Sequence, residues 1–219
     1  MKKKINKMAS FIMAVVLSAS CLRSSFNNCS VAYSPDDKYL GVAVYELPNY
    51  PCIVQSGPTC WAVTIASMVN FFEGSWCPIE QVVSRYIAVT GKPYTGGITV
   101  NDALLVIKDM IPTHTPQLQH SFMSPFWIRY TLSRNRPSYI RGNMYDSNGN
   151  LTGAHAVALV GYSEVQFESG NNIIVSFRYM NSQNGEILYS SYSSDGNNYF
   201  RNKRQDLYYL WDGSIFFVM

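Results

Sequence analysis

The chain is poor in the groups that bind metals. It has five cysteines and three histidines in 219 residues. It has no Cys-x-x-Cys pair, and no histidine lies at ligand spacing from a cysteine. No metal and no cofactor is expected. Basic charge is also scarce once it is located. Lys2, Lys3, Lys4 and Lys7 supply four of the 17 basic residues, and residues 1–20 hold no acid, which leaves 13 basic against 14 acidic residues. Nothing in that balance argues for a nucleic-acid partner. Beyond the first twenty residues no apolar run is long enough to span a bilayer. Internal repeats and low-complexity tracts are absent, which excludes a solenoid or an array.

What is present begins with a leader. Lys2 to Lys7 form a positive segment, Phe11 to Leu17 an apolar one, and Ser18-Ala19-Ser20 a small-residue cleavage site. This is the pattern of a secretory signal peptide of bacterial style, so a secreted, extracellular protein is expected. Cys21 follows at once. Membrane attachment is expected only if Cys21 is lipidated, and Ser18 stands where a lipobox has an aliphatic residue. Outside the cytosol thiols tend to pair. Cys29, Cys52 and Cys77 leave that pairing open, with Cys52–Cys77 one possible bridge.

The remaining length suits one domain with a substantial core. Residues 21–44 read as a linker or short pro-segment and residues 45–219 as the folded domain, expected to be a monomer. Tyr45 to Val54 reads as a strand. Helices are expected after Cys60, after Pro78, from Thr99 with Asp102 as a capping-box-like start, and from Ser124-Pro125. Pro112 to Pro116 reads as a break. After Pro137 the pattern turns to strands at 139–145, 154–162, 172–180, 186–192, 199–201, 207–211 and 215–219. Many of the 16 tyrosines lie there, in keeping with strand preference. Helices first and strands second indicate an α+β fold, a helical lobe against an antiparallel sheet or partial barrel.

Gln55-Ser56-Gly57-Pro58-Thr59-Cys60-Trp61-Ala62 organises the rest. Trp61, Ile65, Met68, Val69 and Phe72 recur at helical spacing, Gly74 ends the run, and Thr59 reads as its N-cap. Cys60 then lies in the first turn, where the helix dipole and free backbone N–H groups favour a thiolate. The plain alternative is a small buried side chain. His114 and His120 fall in a Pro- and Gln-rich loop. His155 instead lies in the apolar stretch Gly153 to Tyr162, where a polar ring needs partners. It is either a satisfied core histidine or an imidazole facing a nucleophile. Asn181 closes the next strand, where its side chain can orient that ring or merely begin a turn.

Taken together these pieces resemble the papain superfamily of cysteine peptidases. Gln55 followed by Cys60-Trp61-Ala62 resembles its oxyanion glutamine and nucleophile motif. His155-Ala156-Val157-Ala158-Leu159-Val160-Gly161-Tyr162 is similar to its histidine strand, and Asn181-Ser182 with Gly185 to its asparagine element. The resemblance covers roughly residues 45–219 and is to compact secreted bacterial forms, such as staphopain-like and double-glycine leader peptidases. It implies a two-lobe fold, a peptide or protein substrate, Cys60 as nucleophile, His155 as acid/base, Asn181 as orienter and Gln55 in the oxyanion hole. The chain also departs from the pattern. Cys60 and His155 are only 95 residues apart. Pro58-Thr59 replaces Gly-Ser, and Gln183 stands where the family has a tryptophan. The shield over the His155–Asn181 contact must then come from elsewhere, Trp211 being a candidate. An amidase, transpeptidase or acyltransferase on the same fold remains open, as does a secreted binding module with a vestigial site.

Overall fold

The structure is a computed structural model that describes residues 37–146, 148–202 and 207–218. The leader, Cys21 and Cys29 lie outside the described residues. Among the described residues four helices precede most of eight strands: β1 Tyr39–Glu46, α1 Cys60–Glu73, α2 Ile79–Thr90, α3 Val100–Met110, β2 Thr115–Gln119, α4 Pro125–Leu132, β3 Ser138–Tyr145, β4 Leu151–Phe167, β5 Ile173–Asn181, β6 Glu186–Ser191, β7 Tyr199–Asn202 and β8 Leu207–Val218. The class is α+β, with helices set against one open antiparallel sheet.

The sheet runs β2-β8-β3-β4-β5-β6, with β1 added to β4 and β7 to β8. Its axis is β4, which has 17 residues. One edge of β4 pairs with β3 over Leu151–Leu159 and then with β1 over Gly161–Phe167. Gly161 makes that handover possible. A Cβ there would stand 2.4 Å from the Tyr45 carbonyl oxygen, so only glycine lets β1 approach.

Helix α1 differs from the one-faced helix that its spacing predicts. Every residue from Trp61 to Val69 is buried. The helix is enclosed because it packs on β4 on one side and on α2 and α3 on the other, as an apolar-all-round helix must. Gly74 ends it in the left-handed conformation, φ 64°. Thr59 does not act as the expected cap: its hydroxyl donates instead to the Ser56 carbonyl at 2.9 Å. Thr99 does cap α3, its Oγ1 accepting from the Asp102 N–H at 3.1 Å. The Asp102 carboxylate turns outward to Lys92 at 2.8 Å. Arg129 of α4 binds the buried Glu164 of β4 at 2.7 Å and the Asn172 carbonyl at 2.7 Å, which fastens that helix to the sheet.

Three strand expectations need correction. The strand expected over Tyr45–Val54 lies earlier, as β1, and takes in Tyr39–Val44 of the segment read as linker. The Pro112–Pro116 break runs into β2, which pairs with β8 and tolerates Pro116 because β2 is an edge. The strands expected at 207–211 and 215–219 are one strand. The Asp212-Gly213 pair between them is a bulge: Arg141 pairs with Gly213 and Gly142 with Trp211, leaving Asp212 unmatched. Cys52 and Cys77 are free thiols, the first exposed and the second buried, so they are not bridged. Among the described residues no helix is long and apolar enough to cross a membrane.

Candidate active site

Cys60 is the first residue of α1, and the helix start is stitched to β4 beside His155. The Thr64 hydroxyl proton is shared between the Cys60 carbonyl at 2.8 Å and the Ala156 carbonyl at 3.1 Å. Trp61 anchors the other side. Its indole N–H donates to the Gly96 carbonyl at 3.1 Å, and its ring packs on Tyr86 and Tyr94. Tyr94 in turn donates to the Pro58 carbonyl at 2.9 Å. The 94–98 loop is thereby held over the helix start, and Gly97 and Ile98 join Cys60 and His155 in the wall of one cavity.

His155 is 4% exposed. Its Nε2 lies 3.0 Å from Asn181 Oδ1. The Gln183 backbone N–H also points at that oxygen, at 3.4 Å, which identifies it as the amide's acceptor. Nε2 is therefore the donor and Nδ1 is left as the basic nitrogen. Asn181 is itself fully buried. It ends β5 and accepts the Gly185 N–H on its carbonyl at 2.9 Å, so turn and orienting group are the same residue.

The aromatic cover over this contact is not Trp211. Trp211 packs on Phe177 and donates to Ser214 Oγ at 2.9 Å. The rings beside His155 are Tyr209, at 5.2 Å between centroids, and Phe200, at 6.2 Å. They stack on each other at 5.7 Å. Room for Phe200 comes from Gly142, the residue opposite His155 in β3. A Cβ on Gly142 would stand 2.6 Å from the Phe200 ring. Sequence reading missed Phe200 and Tyr209; a glycine inside β3, at Gly142, was the one available signal.

Gln55 sits by the same turn. Its backbone N–H donates to the Ser182 carbonyl at 2.7 Å, and its Oε1 accepts from the Ser182 hydroxyl at 2.8 Å. One N–H of its amide goes to the Gly57 carbonyl at 3.0 Å. The structure thus joins Gln55 to the Asn181 turn, while Gln55 is not among the residues lining the Cys60 cavity.

Burial sets the protonation of both central groups. It pushes the Cys60 thiol up from its ordinary value, against the pull of the Ala156, Trp61 and Cys60 backbone N–H groups. The expected N–H groups are present, but desolvation outweighs them. Burial also pushes His155 down to about 4, and the Asn181 contact only partly offsets this. At neutral pH the free protein therefore holds a thiol and a neutral imidazole. Among the described residues no hydrogen bond joins Cys60 Sγ to the His155 ring. His114 lies elsewhere, against Phe72 and Phe217.

No family model matches the chain, and no curated protein matches it. Among solved structures it is similar to xylellain, a cysteine protease from Xylella fastidiosa. The TM-score is 0.49 at 16% identity, over 80% of this chain and 86% of that one.

Proposed function

We propose that the chain is a secreted cysteine peptidase, exported through the leader at residues 1–20 and acting on peptide or protein substrates. The observation that carries the reading is the His155 ring. It is a buried, neutral imidazole whose Nε2 is held by Asn181 and whose cavity also contains Cys60. A histidine that only filled the core would need no thiol at a helix start in the same cavity.

The reaction follows from that arrangement. As the Cys60 sulfur bonds to the substrate carbonyl carbon, its proton passes to Nδ1 of His155. The carbonyl oxygen takes up the negative charge near the Cys60 backbone N–H, which has no partner within the helix and turns from the sulfur to the oxygen. The Gln55 amide is the second donor once it leaves the Gly57 carbonyl. His155 returns the proton to the leaving amine and the C–N bond breaks. Water, deprotonated by the same ring, then releases the acyl group and restores the thiol. Asn181 fixes the ring's tautomer throughout.

Cys60→Ala should abolish peptide cleavage while the protein still unfolds near the wild-type midpoint. Cleavage by that variant at the wild-type rate would end the reading. A thiol-directed epoxide gives a second measurement, with stoichiometric labelling at Cys60 expected. The burial of His155 and the desolvation of Cys60 favour one rival, a binding module with a vestigial site, and an unlabelled Cys60 would select it.

A further inference from the structure

Arg141 stands on β3, opposite Ala156 of β4, and lines the same cavity as Cys60 and His155. With His155 neutral, it is the one formally charged group among the described residues of that cavity wall. Its guanidinium is poorly used. Of five donors, one reaches Asp212 Oδ2, at a long 3.4 Å. Its Nε is buried without a partner. Asn143 Nδ2 makes a close hydrogen bond to that same Asp212 oxygen, while Asp212 Oδ1 is buried without a partner. The bulge at Asp212 brings these groups together, and Asp212 itself is not in the cavity wall. The result is a cation with spare donors on a residue that lines the same cavity as the thiol.

We propose that Arg141 selects a substrate carboxylate, so that the site prefers chains with an acidic side chain or a free C-terminal carboxylate close to the reacting carbonyl. This rests on Cys60 being the nucleophile. A carboxylate would receive two parallel N–H donors from the planar guanidinium, in place of one long contact. Asp212 is then a counter-ion that the substrate carboxylate displaces in part, with Asn143 still bound to its Oδ2.

The test compares kcat/KM on matched peptides with Glu or Gln at each of the three positions flanking the cleaved bond, and with free or amidated C-termini. The wild type should favour a carboxylate by about 10- to 100-fold at one position. Which pair shows the preference tells a side chain from a terminus. Arg141→Gln should cost carboxylate substrates at least about tenfold more than their amides, and Asp212→Asn should widen the preference. Equal rates on acid and amide in the wild type, or equal losses on both in Arg141→Gln, would overturn the assignment and leave the peptidase reading standing. A second measurement does not need turnover. At high pH, iodoacetate and iodoacetamide alkylate Cys60 at rates whose ratio should favour the anion, and should fall about tenfold in Arg141→Gln. An unchanged ratio overturns the role of Arg141. If no peptide is cleaved and neither reagent modifies Cys60, both readings fail.

Discussion

Acid should unfold this protein partly through one histidine. His155 is 4% exposed, and burial pushes it from 6.5 down to about 4. In the unfolded chain the same imidazole binds a proton near pH 6.5. Between those two values the unfolded state holds a proton that the folded state refuses. Stability therefore rises with pH across the window and is lost as pH falls through it. At about 1.4 kcal/mol per pH unit, the gap comes to roughly 3 kcal/mol. Carboxylates also titrate at the lower end of this range, so the measurement needs a reference. His155→Gln retains a donor for Asn181 Oδ1 but cannot take up the proton. Urea unfolding of both proteins at half-unit steps from pH 4 to pH 7.5 gives two stability curves. The wild-type curve should fall more steeply below pH 6.5, by about 3 kcal/mol in total. A difference under about 1 kcal/mol would refute the reasoning. So would an imidazole resonance titrating above 6.5, which would mean that the resting pair is already ionised.

Two further substitutions probe how the site is held. Gly142→Ala would place a methyl 2.6 Å from the Phe200 ring and 2.8 Å from Tyr209 Cβ. It should cost about 1–3 kcal/mol of stability and lower turnover, read by denaturation and peptide cleavage; an unfolding midpoint equal to wild type would show that the ring yields freely. Gln55→Ala should lower kcat by about 10²-fold with a smaller effect on KM. A loss under about threefold would show that the amide stays on the Gly57 carbonyl and plays no part in the reaction.

The sequence revealed the local pieces of the site better than their surroundings. The start of α1, the cap of α3 at Thr99 and the strand carrying His155 all depend on residues within one or two turns of each other. Their signals are therefore short-range. Thr59 shows the limit even there, because its hydroxyl found the Ser56 carbonyl instead of the helix N–H groups. The edge strand β2 was hidden by Pro116, which reads as a breaker unless the strand is known to lie at the rim. The Asp212-Gly213 pair has turn chemistry, yet the partner strand β3 holds it as a bulge. The cover over His155 could not be read from spacing at all. Phe200 and Tyr209 come from two strands that meet only through the β7–β8 pairing, and their position depends on a glycine on a third.

The protonation of the site follows from where the start of α1 meets the sheet. Cys60 and His155 line the same cavity, and desolvation drives both toward the uncharged form. A resting thiolate–imidazolium pair would need two charges stabilised with little water nearby, and such pairs are costly unless each charge is well hydrogen-bonded. The N–H groups of Cys60, Trp61 and Ala156 serve the sulfur, and Asn181 serves the ring. Those partners moderate the burial without reversing it. In the proposed reaction, charge separation is most favourable when a substrate carbonyl occupies the cavity, because the negative charge would move from sulfur onto an oxygen placed at the helix start. The same burial that keeps the thiol quiet in the free protein strengthens that interaction in the complex. For the proposed peptidase, a neutral resting pair would tie reactivity to the arrival of substrate.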